Sequence, residues 1–180
     1  MKKESTDLPG LMTVSQDVYQ DKRGYFHETY RESFLPFKWV QDNVSQSVKG
    51  VVRGLHYQLK RPQAKLVTCL FGRIIDVAVD VRRGSTCFGK YYQAILAGGT
   101  GDQLFVPEGY AHGFLVTSSV AIVHYKCSDY YCHEDARGIL WDDPALGIPW
   151  ELMPGVKFCL SETDAKNPPL KDAELPEMKE

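Results

Sequence analysis

Fifteen residues, VVRGLHYQLKRPQAK (51–65), set an arginine, a histidine and a lysine among apolar neighbours. Polar groups in an apolar setting are costly unless they are satisfied or used. Each of the three suits a different task. His56 carries an imidazole, which can take a proton near neutral pH. Arg53 carries a guanidinium, whose planar fork fits phosphate oxygens. Lys65 carries an ammonium, which can stabilise a developing negative charge. Taken singly, none is decisive. A lone His in a strand is more often structural than catalytic, and a Lys at a strand start is usually solvated. Arg53 and His56 are three apart, so a regular strand would point them to opposite faces. If both line one pocket, Gly54 must admit a bulge at 53–55.

The elements that would carry these groups are short. Apolar runs punctuated by Gly and Pro predict strands at 23–29, 39–41, 50–58, 65–71, 73–82, 88–97, 102–106, 112–117 and 120–127, with another near 156–160. Gly72 reads as a tight turn. In RIIDVAVDVR (73–82), Ile75, Val77, Val79 and Val81 share one face and Asp76 and Asp80 the other. Parity does not say which face is inside. One short helix is expected at about 30–35, YRESFL. The pattern is that of an all-β sandwich or barrel with little helix.

Length and composition bound the rest. At 180 residues the chain is expected to be one domain, its core spanning about 9–170 between loosely held polar termini. Twenty-one basic against 23 acidic residues argue against a bulk nucleic-acid surface. No run of 18 apolar residues predicts a membrane span, and MKKESTDLPG has no apolar core of a secretory signal. A cytoplasmic location is expected. The five cysteines form no CxxC pair. Cys69, Cys127 and Cys159 lie in strand-like apolar runs and read as reduced, structural thiols.

Residues 101–112, GDQLFVPEGYAH, space Gly, Pro, Gly and His in a way that resembles the second motif of the cupins, small jelly-roll β-barrels. Pro107 ends one strand, Gly109 permits the turn, and His112 returns toward the barrel mouth. Position 116 is Val, not the Asn the motif often carries. Metal-binding cupins use a His-x-His pair in their first motif. Here position 58 is Gln, and His56 with His112 alone is a poor set for a transition metal. No metal is expected. His27, His124 and His133 read as surface residues.

Several strings together are more specific: DKRGYFHETY (21–30), QDNVSQSVKGVVRGLHYQ (41–58), QAKLV (63–67), VPEGYAHGF (106–114), YKCSDYY (125–131), WDDPALGIPW (141–150) and LSETD (160–164). Their order resembles the dTDP-4-dehydrorhamnose 3,5-epimerase family. The resemblance implies a cupin β-sandwich barrel with a few short helices and a cofactor-independent epimerase. Its substrate is a nucleotide-linked 4-keto-6-deoxy sugar, whose ketone acidifies C3 and C5. A base removes a proton to give an enolate, and an acid on the opposite face returns one. The family also holds enzymes that invert only C3 or only C5, on dTDP- or GDP-linked sugars, heptose included.

The same resemblance assigns residues. His56 matches the base, Asp164 the carboxylate that orients it (with Glu162 nearby as a rival), Lys65 the cation at the enolate oxygen, and Tyr125 the opposed acid. Arg53 and Arg23 match diphosphate contacts, with a partner chain as one source of Arg23. Gln41 and Asn43 match contacts to the nucleotide sugar, and Phe26 and Glu28 the nucleoside end. Tyr131 matches an aromatic on the base, and His112 a pocket residue. Many short antiparallel strands leave edges that invite pairing, so the segment 23–29 is read as reaching a neighbouring chain, which gives a homodimer with exchange of an N-terminal strand. There are three departures from the family pattern: the His56–Lys65 loop is one residue short, Thr68 stands where Arg is usual, and RRGSTCFG lacks the usual Pro; the first two flank the pocket.

Overall fold

In a computed structural model describing residues 1–150 and 155–178, thirteen strands form two packed antiparallel sheets and a separate hairpin. The strands are β1 (Lys2–Ser5), β2 (Met12–Ser15), β3 (Tyr19–Asp21), β4 (Gly24–Phe26), β5 (Gln41–Val48), β6 (Val52–Gln58), β7 (Lys65–Phe71), β8 (Arg73–Asp80), β9 (Tyr91–Ala97), β10 (Asp102–Val106), β11 (Tyr110–Val116), β12 (Val120–Cys127) and β13 (Ala136–Gly138). One sheet runs β1-β2-β10-β7-β12-β5, the other β13-β6-β11-β8-β9, and β3-β4 stands apart. This is the expected jelly-roll sandwich. Among the described residues, the helices are three single-turn 3₁₀ segments, His133–Asp135, Asp164–Lys166 and Leu170–Asp172.

Alternation along the strands builds the layers. Val67, Leu104 and Val123 of the first sheet meet Ile74, Ala78, Leu96 and Phe114 of the second in the central core. The valine face of β8, with Leu55 and Ala111, packs outward under Ile139, Leu146, Leu170 and Leu175. Both faces of β8 are therefore buried, and Asp76 and Asp80 point between the sheets, each fully shielded from solvent.

That second layer corrects the expectation of a loose C-terminal end. Leu170, Ala173 and Leu175 are buried, and each large aliphatic side chain so covered contributes about 1.5–3 kcal/mol. The N-terminal residues are also held, because Lys2–Ser5 pairs with Met12–Ser15. The helix expected at 30–35 is a single turn: the N–H groups of Phe34 and Leu35 donate to the Arg31 carbonyl. Pro36 follows and cannot continue a helix, while Leu35 is drawn into an apolar cluster with Leu66 and Phe105. The strand expected at 23–29 shrinks to Gly24–Phe26, and that near 156–160 to one bridge between Val51 and Cys159. The short strand at 39–41 is instead the eight-residue β5, whose sequence QDNVSQSV hid its alternation because its inward face is polar.

Candidate active site

The cavity opens between the two sheets. About 530 Å³ in volume, it is lined by Arg53, His56, Lys65, His112, Tyr125, Tyr131 and Asp164 among others. An adjoining cavity shares His56, Lys65, Tyr125 and Tyr131 and extends to Gln41, Asn43, Gln58 and Arg137.

Strand β6 brings Arg53 and His56 to the same side by the irregularity expected at Gly54. Cross-strand pairing runs His112 to His56 but Phe114 to Arg53, so β6 uses three residues where β11 uses two. Gly54 sits at φ +121°, and a Cβ there would lie 2.6 Å from the Gly113 Cα. Only glycine fits such a backbone contact. Leu55 turns into the outer core while Arg53 and His56 stay exposed to the cavity. The Arg53 Nε donates to Ser47 Oγ at 3.0 Å, which aims the guanidinium along the cavity wall.

Asp164 arrives from a chain segment 108 residues away and lies 2.6 Å from His56 Nε2. Its side chain is 6% exposed. Burial alone would raise its pKa, but the His56 hydrogen bond and charge, the Gly54 N–H and Ser161 outweigh that and hold it below 3.8. An ionised Asp164 only accepts, so His56 donates from Nε2 and keeps Nδ1 for a proton. Glu162 is ruled out for this role, because its side chain is 95% exposed and lies 3.8 Å from Lys166.

Facing this pair, the other sheet supplies Lys65 from β7 and Tyr125 from β12. The loop before Lys65 is pinned by the buried Asp135, which accepts from the N–H groups of Lys60 and Arg61 at 2.9 and 2.7 Å. Gln58, where a metal cupin would place its second histidine, spans two loops instead. It accepts from the Cys132 N–H at 2.6 Å and donates to the Arg61 carbonyl at 2.7 Å. Burial pulls the Lys65 ammonium below its ordinary pKa, while Cys127 and Asp76 push it back up. Burial raises the Tyr125 phenol, helped by Cys127 and opposed by Arg53. A phenol so placed is protonated near neutral pH and can donate.

The second histidine has its own carboxylate. The His112 Nε2 is 2.8 Å from Asp76 Oδ1. The sequence reads Asp76 only as one of two acids on the second face of β8, and alternation gives no sign that it would meet His112. Thr163, Ser161 and Cys159 also line the cavity. Cys159 is exposed there, which corrects its reading as a core thiol, whereas Cys69 and Cys127 are buried as expected. Of the other histidines, His124 is half-buried beside Asp42 at 3.8 Å and His27 has a buried Nδ1 without a partner, so neither is simply a surface residue. Among the described residues, no group of three or more His, Cys, Asp or Glu is placed to hold a metal ion.

Gln41 and Asn43 sit together on β5, with Gln41 Nε2 donating to Asn43 Oδ1 at 2.9 Å. The Gln41 Oε1 accepts from the Tyr131 N–H at 2.8 Å, fixing that aromatic at the cavity edge. Three expected binding residues stay outside both cavities of their own chain. Arg23 pairs with Asp21, its Nε 3.0 Å from Oδ2, on the exposed β3–β4 hairpin, which also carries Phe26, 70% exposed. Glu28 pairs with Arg31 at 2.6 Å. The reason is topological: the hairpin belongs to neither large sheet.

A jelly-roll sandwich with a histidine on one sheet held by an aspartate from a 3₁₀ turn, and a lysine and tyrosine on the other sheet, has the form of a cupin with a candidate acid–base site. Comparisons with known proteins narrow the class. A profile of the dTDP-4-dehydrorhamnose 3,5-epimerase family matches residues 5–172. The protein of that name from Methanothermobacter thermautotrophicus is 44% identical over 172 residues, covering 93% of both chains. The Legionella pneumophila dTDP-6-deoxy-D-glucose-3,5-epimerase, solved with dTDP-4-keto-L-rhamnose, superposes with a TM-score of 0.94 at 40% identity, covering 99% of both chains. ChmJ, a 3'-monoepimerase from Streptomyces bikiniensis solved with dTDP-quinovose, gives 0.88 at 32% identity, over 96% of this chain and 91% of its own. The chain belongs to the dTDP-4-dehydrorhamnose 3,5-epimerase family.

Proposed function

We infer that this chain converts dTDP-4-dehydro-6-deoxyglucose to dTDP-4-dehydrorhamnose, inverting C3 and C5 without a cofactor. The observation that carries this reading is the division of labour between the sheets: His56 with Asp164 on one side of the cavity, Lys65 and Tyr125 on the other. His56 Nδ1 removes the proton from the carbon next to the ketone. The electron pair moves to the keto oxygen, and the Lys65 ammonium stabilises the enolate. Tyr125 then gives its phenolic proton to the opposite face of that carbon, and the configuration inverts. The same set serves both carbons, because each is alpha to the one ketone. Arg53 holds the diphosphate, Gln41 and Asn43 the nucleotide sugar, and Tyr131 the base, while His112 contacts the bound sugar.

The reading includes one cytoplasmic domain acting as a homodimer. Its support is the β3–β4 hairpin, which carries Arg23 and exposes Tyr19, Tyr25 and Phe26 away from its own cavity. An exposed apolar hairpin of this kind favours pairing with a second copy. In that dimer, Arg23, Phe26 and Glu28 complete the partner's cavity.

The test is turnover in D2O followed by NMR. Inversion and deuterium at both C3 and C5 of the dTDP sugar is the expected result. Inversion at one carbon, or only with a GDP-linked sugar, would replace this reading with a mono-epimerase.

A further inference from the structure

Asp76 lies on β8 between Ile74 and Ala78, both members of the central core. Packing between the two sheets would favour an apolar side chain there. Its side chain is fully buried, its Oδ1 meets His112 alone, and its Oδ2 has no hydrogen-bond partner. A buried carboxylate with one oxygen unpaired costs stability that an apolar residue would not. The same strand shows what a structural carboxylate looks like. Asp80, four residues on, accepts from Arg82 Nε at 2.9 Å, Arg82 Nη2 at 2.6 Å, the Arg82 N–H at 3.1 Å and Ser85 Oγ at 2.6 Å. Asp76 has no such partners. It meets instead His112, which lines the cavity.

We propose that Asp76 is a positioning residue that holds His112 through Nε2–H, turning Nδ1 to the cavity. This rests on the reading of His112 as a contact to the bound sugar. The His112 side chain is 7% exposed and that of Asp76 fully buried, so the ring is fixed in one orientation at the cavity wall. A carboxylate that accepts from one ring nitrogen sets the tautomer and leaves the other nitrogen to face the ligand. That role explains why an acid is kept where packing prefers a hydrocarbon.

Asp76→Leu keeps the side-chain volume and removes the acceptor. kcat/KM on the dTDP sugar is expected to fall about 10- to 100-fold, by analogy with the partners that orient metal ligands. In the unaltered protein, 15N NMR should find the His112 proton on Nε2, which needs no variant to fold and no turnover, so it stands even if the epimerase reading fails. In Asp76→Leu that preference should be lost. His112 protonated at Nδ1 with Nε2 bare in the unaltered protein, or the same tautomer left in place by Asp76→Leu, overturns the proposal. So does a variant that loses stability alone.

Discussion

Two imidazoles in this cavity each donate from Nε2 to a buried aspartate, yet their settings differ. The His56 ring is 47% exposed, and its Asp164 comes from a segment 108 residues away. The His112 ring is 7% exposed, and its Asp76 comes from the adjacent strand of the same sheet. The first pair presents a free nitrogen to an open cavity; the second is locked into the wall. Proton transfer needs reach and a place for substrate, whereas alignment needs rigidity. In the proposed reaction the same two residue types therefore serve a base in one place and a fixed contact in the other.

Substitution at His56 should break this contrast most sharply. His56→Ala is expected to lower turnover about 10⁴-fold, the upper end for a lost general base, while His112→Gln costs far less; steady-state rates on the dTDP sugar decide, and equal losses would erase the distinction. Lys65→Met should cost about 10²–10³-fold, comparable to deleting an oxyanion donor. A rate within a few-fold of the parent would remove Lys65 from the enolate oxygen. Tyr125→Phe should slow inversion by roughly 10²-fold while leaving substrate affinity intact, readable as a change in kcat at constant KM.

The smallest expected effect on catalysis belongs to Asp80, whose hydrogen-bond shell contrasts with that of Asp76. Asp80→Asn should leave turnover unchanged and lower stability on the order of 3 kcal/mol, as when a buried ion pair loses one member. The pH dependence has a definite sign. Burial would raise the Asp80 carboxyl, but Arg82 and Ser85 hold it below 3.8. A carboxyl lowered on folding stabilises above its unfolded pKa, and that contribution is lost as pH falls through the folded value. Urea denaturation should therefore show the parent and Asp80→Asn converging below about pH 4.

Much of the site was legible because its chemistry breaks the local pattern. Arg53, His56 and Lys65 interrupt an apolar run, and the parity conflict between Arg53 and His56 forecast the bulge at Gly54. The link from His56 to Asp164 is not a local signal, and only the family resemblance joined them. Asp76 was visible as a polar position alternating with valines, but alternation cannot tell a wet face from a packed one when both faces of β8 are buried. Strand β5 was missed for the converse reason: a strand that lines a polar cavity lacks the apolar alternation of one that faces a core. The tails were misjudged because their few apolar residues, Leu170 and Leu175 among them, act through packing on β6, β8 and β11 rather than through local propensity.

The central claim is that one base on one sheet opposes one acid on the other, and isotope exchange separates the two. With Tyr125→Phe in D2O, the dTDP-4-keto sugar should take up deuterium at C3 and C5 from the His56 side while inverting slowly. With His56→Ala, neither carbon should become labelled. Label entering the His56→Ala reaction at a rate near that of the unaltered protein would contradict the account.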